Sequence, residues 1–199
     1  MRAFRCVVGT VVLQLVATSY ATYQMQPLSK NNLKAVIECD VNVTRSFFMP
    51  QYTAVCQVFH STDLAQEQAA RELVHDVDLF RAMVSGKGGN HHSLVATENE
   101  RVAGAVVWEE KGKTATVEVL LVDEYVHEKA VVTALLDTIQ STRPHLKEVF
   151  IKPLCVHNHM ALDLYKHLGF TPIPYDDAGA TFMGLKQAPL FTKLVKKCP

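Results

Sequence analysis

No run of about 18 or more consecutive apolar residues occurs in this chain, so no membrane-spanning helix is expected. Neither sign of charge is in excess: 20 Lys and Arg stand against 20 Asp and Glu, for a formal net charge of +0. That balance excludes a global field that would draw in nucleic acid or an anionic membrane, so any partner must be recognised locally. Fixed-period repeats and low-complexity tracts are absent as well, which excludes a solenoid. What is present is 199 residues, 48% apolar and 20% charged, enough for one globular domain with a full hydrophobic core.

The N-terminus lacks acid altogether, with no Asp or Glu before Glu38. Arg2 and Arg5 precede the apolar run Cys6 to Ala17, and Ser19-Tyr20-Ala21 places small residues at signal-peptidase spacing. Residues 1–21 therefore read as a cleaved secretory leader, while the Arg, Ser and Thr content also fits a mitochondrial transit peptide. Asn42-Val43-Thr44 is an N-glycosylation sequon that matters only in the secretory case. Without the leader, Cys39, Cys56, Cys155 and Cys198 remain, too irregularly spaced for a disulfide framework, and free thiols are the plainer expectation.

Residues 22–50 read as a linker or first strand, 51–190 as the folded domain with a short strand at Thr53–Phe59, and 191–199 as a solvated basic tail. From Asp63, Leu73, Val77, Phe80 and Val84 recur at helical spacing, and Gly86-Lys87-Gly88-Gly89 ends that helix. The glycine run lacks P-loop spacing and follows a helix where the motif needs a strand, so it is a C-cap and loop. Ser93–Thr97, Val102–Glu109 and Thr114–Val122 are β-rich segments joined by tight turns, an antiparallel meander. In the last of them strict alternation puts Val117, Val119 and Leu121 on one face and Thr116, Glu118, Leu120 and Val122 on the other, so a carboxylate shares an apolar face.

Val132, Leu135, Leu136 and Ile139 predict a helix stopped before Pro144, and Val149–Leu154 a further strand. Strand, helix and strand form a parallel crossover, which places ligands at the carboxyl ends of its strands, near residues 122–132 and 154–158. A last helix opens at Asn158 and closes at Gly169, followed by an expected antiparallel pair, Phe170–Ile173 with Thr181–Leu185. The fold class is α/β, a mixed α+β arrangement: a central, mostly antiparallel sheet with one parallel crossover and helices on both faces.

Asn158-His-Met-Ala161-Leu-Asp-Leu-Tyr165-Lys-His-Leu168-Gly169-Phe170 resembles the C-terminal signature of the GNAT acyl-CoA N-acyltransferases, in which Asn, Ala, an aromatic and Leu-Gly-Phe recur at these spacings. With the meander, the crossover and the closing pair, the similarity covers roughly residues 60–187. It implies a GNAT-like fold and transfer of an acetyl group from acetyl-CoA to an amine of a small molecule or peptide; apart from the resemblance, the lack of a long apolar run leads us to expect no membrane contact in the mature form. The family's pyrophosphate loop runs Arg or Gln, two residues, Gly, one residue, then Gly or Ala. At the matching positions stand His127, with Glu128 and Lys129 after it, then Ala130 and Val132. Glycine suits such a loop because phosphates lie against backbone N–H groups at a helix N-terminus, where a side chain obstructs approach. Val132 also fits the apolar stripe as a core residue, while His127 and Lys129 offer charge to a pyrophosphate.

The resemblance also implies roles for single residues. Amine attack needs a neutral nucleophile, and a free alkylammonium has a pKa of about 10, so a base must take its proton. Glu118 matches a position from which some members supply that base; otherwise it is a solvated sheet carboxylate. Backbone N–H groups of Leu120, Leu121 and Val122 would hold the thioester carbonyl. Tyr165 matches the residue that protonates the departing thiolate, or is a core aromatic of the helix stripe. Asn158 matches a contact to the pantetheine arm. The changed loop equally admits a GNAT-fold pseudoenzyme acting as a binding module. Cys155, His157, His159 and the separate His91-His92 pair do not supply four converging ligands, so no metal is expected.

Overall fold

The computed structural model describes residues 23–43, 63–123, 128–155, 159–174 and 191–198. The leader, the strand expected at Thr53–Phe59, the segment Thr181–Leu185, His127 and Asn158 lie outside the described residues. In chain order the elements are β1 (Gln24–Gln26), α1 (Leu33–Val43), α2 (Asp63–Val84), β2 (His91–Glu98), β3 (Arg101–Lys111) and β4 (Thr114–Val122). Then come α3 (Glu128–Thr142), β5 (Glu148–Cys155), α4 (His159–His167), β6 (Thr171–Pro174) and β7 (Phe191–Lys197). The strands form one sheet in the order β1-β2-β3-β4-β5-β7-β6. Only β4 and β5 pair in parallel among them, as a strand–helix–strand crossover requires.

Two apolar layers sandwich the sheet. Alternate residues of β2 and β3 divide between them: Ala96, Val106 and Trp108 join Val131, Val132, Leu135, Leu136 and Ile139 of α3 and Leu162 and Tyr165 of α4. Val95, Ala105 and Val107 join Val36 and Cys39 of α1 and Phe80 of α2 on the other side. The expected stripe of α3 is thus the face it buries, whereas α2 fully buries only Phe80 of its expected stripe and packs Leu79 and Met83 beside it. Asn99 and Glu100 both have positive φ, 49° and 66°, the two-residue hairpin that matches strand twist.

The Leu168-Gly169-Phe170 run has a clear physical basis. Gly169, at φ 86°, ends α4 in the left-handed region. Its N–H donates to Lys166 O at 3.0 Å, and the Phe170 N–H donates to Tyr165 O at 3.0 Å. This cap turns Phe170 back into the core, edge-on to Tyr165 with ring centroids 5.6 Å apart.

Both expected ends of the domain need correction. Of the two readings of residues 22–50, the first strand is present as β1, which pairs with β2, whereas the linker is not, since α1 packs Val36 and Cys39 beneath the sheet. Leu33, Val36 and Ile37 carry a helical period that the polar residues among them obscured. Asn32 fixes the helix entry, accepting the Ser29 N–H at 2.7 Å and donating to Pro27 O at 3.0 Å. The tail is likewise no solvated terminus: as β7 it pairs with β5 and β6, so the domain runs past residue 190 and β6 takes β7 as partner. Leu194 is fully buried, while Lys193 lies over the Phe150 ring at 4.3 Å and Lys196 over Phe170 at 6.0 Å. Lysine-rich composition reads as tail, but alternating side chains let one residue anchor a strand whose neighbours lay their stems on aromatic rings.

Candidate active site

β4 changes character halfway along. From Thr114 to Val117 it has β3 on one side and β5 on the other, ending at the Val117–Ile151 pair. Beyond that point Glu118–Val122 pairs, among the described residues, with β3 alone, and β5 continues against β7 through Leu154 and Cys155. Two parallel strands that part leave a wedge edged by backbone N–H and C=O groups, which need partners.

A bulge sits at the point of parting. Val107 pairs with Val119 and Trp108 with Val117, so Glu118 is an extra residue with no counterpart on β3. The bulge overturns the strict alternation expected of this strand: Val117 belongs to the α3 side, whereas Val119 and Leu121 belong to the α1 side. Leu120 and Val122 pack toward the α3 side. Glu118 itself is half-buried, and its charge helps hold the Lys111 ammonium protonated, after the larger effect of Glu109 at 2.8 Å.

The chain leaves β4 at Asp123, whose N–H donates to Ala103 O at 2.9 Å, and re-enters described structure at the start of α3. Lys129 and Ala130 are exposed on its first turn, where the first N–H groups of a helix have no intrahelical acceptor. Val131 and Val132 are buried, at 0% and 1% exposure. Val132 therefore belongs to the core stripe, and its side chain is withdrawn from the exposed side of the turn where an anion would meet the helix. Tyr165, 7% exposed, lies in the same core layer as Val131 and Val132. The structure thus brings Glu118, Leu120, Leu121 and Val122 into one strand end, followed by Glu128, Lys129, Ala130 and Val132 in one helix start.

Sequence reasoning missed an acidic pair on the α1 side of this strand end. Asp40 is 1% exposed. Burial pushes the neighbouring Cys39 thiol up to about 12, with help from the charges of Asp123 and Asp40. The signal was available, since Asp40 occupies the i+7 position of the stripe begun by Leu33, Val36 and Ile37. Cys39 and Cys198 are free, and a thiol as basic as Cys39 is no nucleophile. Among the described residues no group of three or more His, Cys, Asp or Glu is placed to hold a metal, and no helix is long and apolar enough to cross a membrane.

No family model and no curated protein matches the sequence. Solved structures match it in fold. The PaiA N-acetyltransferase from Thermoplasma acidophilum, solved with coenzyme A, is 14% identical over 88% of this chain and 99% of that chain, with a TM-score of 0.60. A GNAT-family protein from Desulfovibrio desulfuricans is 15% identical over 89% of this chain and 100% of that chain, at 0.57. The Escherichia coli N-acetyltransferase named for a ribosomal-protein alanine is 14% identical over 89% of this chain and 94% of that chain, at 0.55. The chain has the GNAT fold.

Proposed function

We propose that this GNAT-fold domain is an N-acetyltransferase that moves an acetyl group from acetyl-CoA to a primary amine of a small molecule or peptide. The observation that carries the reading is the parting of β4 from β5 beyond Val117 and Ile151, an opening of free strand edge beside a helix N-terminus. A pantetheine arm is an extended chain of amides and fits such an edge as a third strand would. The first turn of α3, with Lys129 exposed upon it, suits the pyrophosphate, and burial of Val132 removes the steric objection its size raises. A further likeness supports the donor: the Thermoplasma acidophilum neighbour was solved with coenzyme A.

Acetyl-CoA supplies an activated acyl group as a thioester. The protein's own part is to place the amine, take its proton and meet the charge that grows on the carbonyl oxygen. Glu118, brought to the edge of the opening by the bulge, is the base, directly or through a water. Backbone N–H groups of Leu120 and Val122, which alternate with the β3-bonded Asp123 and so point away from β3, receive the oxyanion charge. Tyr165 is assigned the return of a proton to the thiolate, and Asn158 and His127 are assigned to coenzyme contacts. The leader is assigned delivery to the secretory pathway or the mitochondrion.

Isothermal titration of leader-free protein with acetyl-CoA and coenzyme A tests the reading. Micromolar binding, followed by acetylation of an amine panel that fails in Glu118→Gln, is the expected result. Coenzyme binding without turnover on any amine favours the non-catalytic binding module, to which Ala130 and Val132 in place of the family's small residues point. Absence of binding overturns the donor assignment.

A further inference from the structure

Gly104 lies on β3, one strand removed from the opening, and neither the proposed chemistry nor the proposed coenzyme contacts use it. Its surroundings leave no room for any side chain. A Cβ at this position would stand 2.6 Å from the carbonyl oxygen of Leu121, 2.7 Å from Val131 Cγ1 and 3.6 Å from Leu135 Cδ1. Approaches under 3.0 Å are not tolerated, so any larger residue must move β4, α3 or both. The partner of Gly104 across the ladder is Val122, the last residue of the strand edge facing the wedge.

The two groups that press on this position belong to the two halves of the opening. Leu121 is part of the β4 segment that has lost β5, and its carbonyl is backbone, which cannot swing aside as a side chain would. Val131 is in the first turn of α3 and is 0% exposed, so its contact fixes how deeply the helix start sits against the sheet. Gly104 is thus the one described glycine at which an added Cβ would meet both the opened segment of β4 and the start of α3.

From this we infer that Gly104 is a positioning residue: the missing side chain sets the separation between the free edge of β4 and the N-terminal turn of α3, and so the fit of the coenzyme to both at once. The inference rests on the coenzyme reading above. A ligand held along an extended line by two backbone surfaces is sensitive to their relative placement, much as misplacement of about 1 Å costs about 10²-fold in rate at catalytic sites. Gly104→Ala therefore weakens coenzyme A binding by at least about tenfold while every group that contacts the ligand remains.

The test compares Gly104→Ala with Leu146→Ala. Leu146, 1% exposed, lies in the connection between α3 and β5, away from the opening. Both variants lose stability, but only Gly104→Ala is expected to lose coenzyme A affinity by calorimetry; Leu146→Ala stays within about twofold, as distant sites act independently. Should Gly104→Ala not fold, Gly104→Ala with Val131→Ala is read against the same thresholds, because it removes one of the two closest contacts. A folded Gly104 variant that binds within about twofold of the native chain overturns the inference.

Amide hydrogen exchange separates this failure from failure of the coenzyme reading. Gly104→Ala is expected to lower protection at Asp123, whose N–H donates to Ala103 O at 2.9 Å, and at Val132 and Thr133, and to leave Val149 and Ile151 unchanged. If the native chain binds no coenzyme A, the donor reading falls, and the same exchange pattern still upholds the geometric role. Unchanged protection at those three amides overturns it.

Discussion

The two ends of β4 are built from one strand to opposite purposes. At the Thr114 end the strand is held on both sides, Ala115 and Val117 are buried at 0% and 1%, and Val149 and Ile151 close over them from β5. The neighbouring Glu110 of β3 ties the end of α3 to the sheet: His145 Nε2 donates to it at 2.7 Å and Arg143 Nε lies 3.6 Å away. At the Val122 end the strand carries a bulge, loses its parallel partner and meets an exposed helix start. Stability and ligand access make conflicting demands on backbone polar groups, and the molecule separates them along nine residues.

The contrast breaks most visibly at the closed end. Trp108→Ala, at a residue 3% exposed and paired with Val117, is expected to cost about 3–5 kcal/mol in urea unfolding, with coenzyme affinity of the folded fraction preserved. A selective loss of affinity would show that the two ends are not independent.

Next in size is the open end. Glu118→Gln keeps the volume and removes the base, so kcat for amine acetylation should fall about 10²-fold or more while KM for acetyl-CoA and the urea midpoint hold. A drop in stability of similar weight would make Glu118 a structural feature of the bulge instead.

A smaller effect sharpens the helix half of the site. Lys129→Ala, at an exposed position, should raise the Kd for coenzyme A about two- to fivefold at low salt and less at high salt. Salt-independent weakening would point away from phosphate contact.

The smallest effect is a pH dependence at the closed end. Burial, then the Arg143 guanidinium, lowers the pKa of His92 from 6.5; Glu110 opposes this and His91 adds to it. His92 also leans on the Trp108 ring at 5.5 Å. A lowered histidine favours the neutral form in the fold, so its contribution is whole above 6.5 and is lost as pH falls through the depressed folded value. His92→Gln should remove less than about 1 kcal/mol of this acid sensitivity, because the side chain is 33% exposed and screened by solvent. An unchanged pH profile of the urea midpoint would assign the acid response to other groups.

Much of the closed architecture was legible because period and punctuation agree there. The stripe of Val132, Leu135, Leu136 and Ile139, the Asn99-Glu100 turn and the Gly169 cap each act through local geometry that composition announces. Where a single residue departs from regularity, the reading failed. Glu118 breaks the alternation of β4, and no propensity marks the extra residue, because a bulge is decided by what lies across the ladder. α1 and β7 were misread for a related reason: polar neighbours dominate their composition, while one or two buried residues, Val36 and Leu194, decide their place.

The sequence by itself determined the order of elements from α2 to β6, the crossover and the buried stripe of α3. Those follow from short-range sterics and from the need to bury apolar faces, both written in spacing. Only the tertiary structure decided that β4 and β5 separate after Val117, that Asp40 and Asp123 both act on Cys39, and that Gly104 must be bare. Each depends on atoms brought together from distant parts of the chain, and no local pattern encodes a distance across a sheet.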